Sequence, residues 1–220
     1  MIAEEYNINF IPDLSIPKGS TVSVLVECFR QTTPFFQSAK SQSNLIKPLN
    51  ENKLTQILVE QIDFQIRKKL VAVGVKNQYS DLFLGTKGIP DFYFHALEEG
   101  RTSEPLFVCE AKRLPAPTGS LNTEYVIGDK QNGGIERFKI GKHGQGFKES
   151  GMIGFVESNT FDHWNNEVNS WINTLANKSD KWNTDEILNM LEKEETYGYL
   201  NSVVHRNSDD DLKLHHFWIN

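Results

Sequence analysis

The chain has 220 residues, 38% of them apolar, with 14 Phe and 4 Trp, enough to fill the core of a single globular domain spanning 1–220. A net charge of −6 excludes broad, nonspecific coating of nucleic acid by a basic surface, but not a local basic groove. No window approaches the ~18 uninterrupted apolar residues of a membrane span, and MIAEEYNINF carries neither a basic n-region nor an apolar h-region, so a soluble, cytoplasmic protein is expected.

In chain order, TVSVLVECFR (21–30) reads as a buried strand, followed by the polar loop SAKSQSNLIKPLNEN. From Glu51, the residues Leu54, Ile57, Leu58, Ile62 and Ile66 recur at three- and four-residue steps, which predicts a long helix with one apolar stripe and Asn50 as its N-cap. A connector with Gly74 and Gly85 reaches Gly88-Ile89-Pro90. Asp91 to Leu97 and Pro105 to Lys112 then flank the turn-forming Glu98-Glu99-Gly100-Arg101-Thr102-Ser103 and predict an antiparallel hairpin. The breaker-rich LPAPTGS follows, then a helix over Ile135 to Lys139, the glycine-rich GKHGQG, and a buried strand over Met152 to Val156. Helices are predicted over Phe161 to Ala176 and Thr184 to Glu194. GYLNSVVHR and LKLHHFWIN, either side of Asn207-Ser208-Asp209-Asp210-Asp211, predict a terminal hairpin. The layout is mixed α/β. Cys28 and Cys109 lie in apolar runs and read as reduced, buried thiols. His205, His215 and His216 lack cysteine partners at zinc spacing and read as structural or surface residues, with at most one of the adjacent pair facing the core.

The hairpin carries the chemistry. Side chains alternate along a strand, so Glu110 and Lys112 share a face while Ala111 points to the other. Two charges at the end of an apolar run are expensive unless they serve something. With Asp91 opening the neighbouring antiparallel strand, two carboxylates and one ammonium converge. Paired carboxylates gather a hard divalent cation such as Mg²⁺, and a lysine beside them can orient a water or help deprotonate it.

Pro90-Asp91 and Glu110-Ala111-Lys112, with 18 residues between Asp91 and Glu110, resemble the PD and E-X-K elements of the PD-(D/E)XK nuclease superfamily. The resemblance covers about residues 50–158. It implies a restriction-endonuclease-like αβββαβ core, a mixed sheet flanked by helices, with the N-terminal strand and the C-terminal helix and hairpin as elaborations. It also implies a Mg²⁺-dependent deoxyribonuclease, an endonuclease in preference to an exonuclease, in which Mn²⁺ can substitute. Asp91, Glu110 and the carbonyl of Ala111 would hold the metal, and Lys112 would position water and balance charge. Glu51 would complete the site from the first core helix, with Glu60 as its competitor. Gln131, Arg137, Lys139, Lys142 and His143 are the candidates for contact with the nucleic-acid backbone; from Arg137 to Lys148 the chain has four Lys or Arg and no acid. Family analogy suggests an effector of bacterial restriction or anti-phage defence, with specificity from a homodimer or a partner protein. The rival expectation is a non-catalytic nucleic-acid-binding or scaffolding member of the same fold.

Overall fold

Between Val22 and Lys40 the buried side chains are Leu25, Cys28, Phe29, Thr32, Thr33 and Phe36, steps of three and four, and the segment is part of a helix, α1 (Lys18–Lys40). This corrects the strand expected over residues 21–30. The alternation of Val22, Val24 and Val26 mimics a strand locally, but the helical period persists over 23 residues and wins. The hydroxyls of Thr32 and Thr33 donate back to the carbonyls of Cys28 (2.8 Å) and Phe29 (3.2 Å), so both polar side chains enter the core already satisfied. This computed structural model describes residues 18–69, 72–100, 102, 104–206 and 210–220.

Helix α2 (Glu51–Lys69) forms as its apolar stripe predicts. Asn50 Oδ1 accepts from the Lys53 N–H at 3.0 Å, and Arg67, Lys68 and Lys69 occupy the last turn, where the helix dipole favours cations. Among the described residues seven strands follow: β1 (Val73–Asn77), β2 (Phe92–Ala96), β3 (Pro105–Leu114), β4 (Glu149–Val156), β5 (Asn189–Lys193), β6 (Tyr197–His205) and β7 (Asp211–Ile219). Helix α3 (Gly134–Lys139) lies between β3 and β4, and α4 (Phe161–Ala176), capped by Thr160 Oγ1 on the His163 N–H, follows β4. The strands make one sheet in the order β1-β2-β3-β4-β7-β6-β5. The β3–β4 and β4–β7 pairs are parallel and the other four antiparallel, so the protein is mixed α/β with a mixed sheet flanked by helices. Strand β1 corrects the connector expected around Gly74; at five residues it is too short for its alternation to stand out.

Alternation along the strands gives each face of the sheet its own core. Phe92, Phe94, Phe107, Cys109, Ile153, Phe155 and Phe217 pack with α1 and α2 on one face. Val108, Met152, Leu214 and Trp218 pack with α3 and α4 on the other. Cys28 and Cys109 are buried free thiols, as expected. A Cβ on Gly154 would lie 2.4 Å from Trp218 Cδ1, so the indole seats directly on the β4 backbone.

Two further corrections concern the C-terminal third. The helix expected over Thr184 to Glu194 is a single 3₁₀ turn (Thr184–Glu186) running into β5. The buried Glu186 explains the stop: one carboxylate oxygen accepts from the Asn183 N–H at 2.9 Å and the other from the His205 N–H at 2.8 Å. Asn169 then clasps both backbone groups of Leu188, at 2.8 and 3.0 Å, and draws the chain extended. The adjacent His215 and His216 both face cores rather than one at most, because β7 is central and covered on both sides. The hairpin β6–β7 is as expected, though Asn207, Ser208 and Asp209 of its turn, like Arg101 and Ser103 of the earlier turn and residues 1–17, lie outside the described residues.

Candidate active site

The register of the first hairpin sets the geometry. Phe92 of β2 stands opposite Cys109 of β3, and the ladder ends there while β3 runs on to Leu114. Just before the ladder, the Asp91 Oδ2 atom accepts from the Ala111 N–H at 2.7 Å, taking the place of a strand partner. The Pro90-Asp91 step is itself held by Gln78 N–H to the Asp91 carbonyl (2.7 Å) and Tyr79 N–H to the Pro90 carbonyl (3.1 Å). Upstream, the Asp81 carboxylate accepts from the N–H groups of Phe83, Leu84 and Thr86 at 2.8–2.9 Å and from the Thr86 hydroxyl at 2.7 Å, which fixes the loop leading into the site.

Past the end of β2, the Glu110 side chain is fully buried and Lys112 nearly so, on the same face as expected and far from the surface ion pair that an edge strand would give. Lys112 Nζ donates to Glu51 Oε1 (3.0 Å) and to the Ala111 carbonyl (2.9 Å), and lies 3.1 Å from Glu110 Oε1. Arg137, from α3, donates to Glu110 Oε1 as well. His143 Nδ1 stands 3.3 Å from Glu110 Oε2 without hydrogen-bond alignment. A Cβ on Gly88 would lie 1.9 Å from the Lys142 carbonyl oxygen and 2.4 Å from His143 Cδ2, so glycine is what lets the His143 loop close on the segment leading into Asp91.

Burial and charge divide the three carboxylates. Burial, aided by the neighbouring Glu110 charge, pushes Asp91 up to about 7. Glu110 is more deeply buried, yet His143, Lys112 and Arg137 outweigh that burial and hold it down at about 2. Burial also raises Glu51, with Lys112 pulling the other way. For Lys112 burial favours the neutral amine, but Glu110, Glu51 and Asp91 together hold the ammonium above its ordinary range. A lysine in that state does not accept a proton near neutral pH. Of the two roles expected for Lys112, orienting a water fits this environment and deprotonating one does not.

The donor set suits a hard cation. Asp91 and Glu110 contribute carboxylate oxygens and Ala111 a carbonyl; Glu110 Oε2 is buried without an aligned hydrogen bond, and the Asp91 carboxyl is buried beside the Glu110 charge. Among the described residues, no group of three or more His, Cys, Asp or Glu side chains could hold a metal ion. The candidate set differs from such a cage in using two carboxylates and a backbone oxygen.

The structure thus brings together Glu51, Asp91, Glu110, Ala111 and Lys112, together with Arg137 and His143 from the proposed backbone-contact set. Glu60 does not join them: it is exposed along α2 and accepts from Gln56. Lys139 is also elsewhere, buried with its ammonium on Glu186 and the His205 carbonyl and over the Trp182 ring, which corrects its assignment to backbone contact. Side chains three and four apart on a short helix share a face but those two apart do not, so Arg137 and Lys139 diverge. Gln131 is exposed at a positive φ of 61°, and Lys142 is half-buried with Nζ on Asn132 Oδ1 at 3.0 Å. The role of Asp81 as organiser of the approach loop was missed; its signal is an Asp followed by Gly85 and Thr86, an Asx-type turn pattern.

No protein-family model, curated protein or solved structure gives a significant match to this chain. No helix among the described residues is long and apolar enough to cross a membrane.

Proposed function

We propose that this chain is a divalent-metal-dependent nuclease of the PD-(D/E)XK type, hydrolysing phosphodiester bonds in DNA. The observation that carries the reading is the convergence of Asp91, Glu110 and Lys112 where β2 parts from β3, with Glu51 reaching in from the start of α2. The element order α2-β1-β2-β3-α3-β4, with β2–β3 antiparallel and β3–β4 parallel, supports a restriction-endonuclease-like core.

Asp91, Glu110 and the Ala111 carbonyl would hold Mg²⁺, with Mn²⁺ as a substitute. When bound there, the cation would supply Lewis-acid charge for phosphodiester hydrolysis. Lys112, kept protonated by its three carboxylates, donates a hydrogen bond that orients the attacking water and balances charge. Glu51 holds the Lys112 ammonium in place. Arg137 supplies a guanidinium for the phosphate, and Gln131 and Lys142 extend the contact along the backbone. DNA as substrate, endonucleolytic attack, a cytoplasmic defence role and a specificity-giving dimer or partner belong to the same reading.

The test is incubation of the purified protein with linear, supercoiled and single-stranded DNA in Mg²⁺, Mn²⁺ or EDTA, beside Asp91→Asn. Metal-dependent cutting that the variant lacks is expected. DNA binding that ignores metal, with no cutting of any form, would favour the non-catalytic binding member instead.

A further inference from the structure

Three polar atoms around one carboxylate, Glu110 Oε2, Arg137 Nε and His143 Nδ1, are buried and lack a hydrogen-bond partner. Folded proteins keep such atoms few, so three on side chains that meet at one carboxylate need a cause. A site built for two occupants of opposite charge supplies one. Glu110 Oε2 has only the unaligned His143 Nδ1 beside it, at 3.3 Å, and Arg137 Nε is a donor without an acceptor. The nitrogen-bearing side chains around Glu110 also differ in access: the Arg137 side chain is 21% exposed, against 6% for Lys112 and 1% for His143. His143 is clamped by the close approach of Gly88, and Lys112 is tied to Glu51 and the Ala111 carbonyl. Arg137 makes its side-chain contact with Glu110 alone among the described side chains of the cluster, through one of its nitrogens.

We propose that Arg137 is a positioning latch. In the resting protein its guanidinium sits on Glu110 and disfavours a divalent cation there; an arriving phosphodiester draws it off, and Glu110 then becomes available to the cation. This rests on the metal-dependent nuclease reading. A planar guanidinium binds a phosphate through two parallel N–H groups, using the Nε–H that Glu110 leaves unpaired. Arginine and divalent cation compete for one carboxylate, so removing the first strengthens binding of the second. Linkage makes the effect mutual: DNA tightens metal binding by the same factor by which metal tightens DNA binding. The substrate itself thereby helps complete the metal site, and free protein holds the cation more weakly than the protein on DNA.

The experiment measures Mn²⁺ affinity by calorimetry on the full chain, with and without a short DNA duplex, and duplex affinity by fluorescence anisotropy, with and without Mn²⁺. In the unmutated protein the duplex should raise Mn²⁺ affinity at least about fivefold, within the usual range of coupling between sites. Arg137→Met should bind Mn²⁺ at least about fivefold more tightly than the parent when no DNA is present, and should lose most of the coupling. Arg137→Lys, which keeps the charge, should restore weak resting affinity. A duplex effect that survives intact in Arg137→Met would overturn the latch, since direct contact between phosphate and cation would then explain it. Unchanged or weakened Mn²⁺ binding by Arg137→Met would overturn it too, leaving Arg137 a prop for Glu110. Absence of coupling in the unmutated protein does so without any variant. Failure of the nuclease reading looks different: no Mn²⁺ binding to any form, with or without DNA, or binding that Asp91→Asn leaves untouched.

Discussion

Two buried polar clusters sit on neighbouring parts of the same sheet, and they are built on opposite plans. On β7, His215 uses Nδ1 with the Tyr199 hydroxyl (2.8 Å) and Nε2 with Glu149 (3.3 Å). His216 uses Nδ1 with the Tyr125 hydroxyl (2.9 Å) and Nε2 with the Ser202 hydroxyl (3.0 Å), while Trp218 donates to the same tyrosine at 2.9 Å. Both rings have spent both nitrogens. Around β3, by contrast, Glu110, Arg137 and His143 each keep a buried polar atom without an aligned hydrogen bond, and Asp91 is pushed up to about 7. A satisfied network fixes a core; an unsatisfied one of mixed charge waits for a ligand. Histidines and carboxylates are equally suggestive in the sequence, and only their bonding separates scaffold from site.

The sharpest way to break this contrast is Asp91→Asn, which keeps an oxygen for the Ala111 N–H but removes a charge. Cleavage should fall by about a thousandfold or more, the loss of several kcal/mol of charge stabilisation, with the fold intact by circular dichroism. Full activity would make β3 as structural as β7. Lys112→Ala should lower the single-turnover rate by about a hundredfold while the Mg²⁺ concentration for half-activity barely moves, as for loss of one oriented donor. A loss cured by more Mg²⁺ would contradict the orienting role.

On β7 the signs reverse. His216→Ala should cost roughly 3 kcal/mol in denaturant melts, from a cavity and a stranded Ser202 hydroxyl, and leave Mn²⁺ affinity as it was. The pH dependence of stability should separate the clusters further. Asp91 binds its proton more tightly folded than unfolded, so its contribution is full below about 4 and is lost as pH rises through about 7. His216, wholly buried, is held down to about 3 by burial and by His215; its contribution is present above its ordinary 6.5 and lost as pH falls through about 3. Metal-free Asp91→Asn should therefore lose stability on acidification from pH 7 more steeply than the parent. A parallel profile would show that Asp91 is not raised. The smallest effect belongs to the exposed pair of Lys148 and Asp210: Lys148→Ala should leave the denaturation midpoint unchanged within error.

Much of the site was legible in the sequence because its determinants are local. Proline before Asp91, a strand-length gap and an alternating Glu110-Ala111-Lys112 fix three groups by backbone geometry alone. The entry of Glu51 came from the family resemblance, laid on a helix whose start was marked by Asn50. What escaped depended on distant partners. TVSVLV reads as a strand until Cys28, Phe29, Thr32, Thr33 and Phe36 are seen to continue a helical stripe. Thr184 to Glu194 has helical composition, but Glu186 and Asn169 capture its backbone from other elements. Arg137 and Lys139 look alike in a basic run, yet one meets Glu110 and the other Glu186. Buried ion pairs across the fold leave no periodic trace.

The seating of Trp218 against Gly154 has a further consequence for how the molecule is assembled. Strand β7 pairs with β6 through a short hairpin, but its other ladder, to β4, joins residues some sixty positions apart. That parallel seam unites the β1-β4 half of the sheet with the β5-β7 half. Contacts of such sequence separation carry the larger loop-closure cost and form late. The indole can reach the bare β4 backbone only after both halves exist. Its burial should therefore be among the final events of refolding, which makes Trp218 a natural fluorescent reporter for closure of the whole sheet.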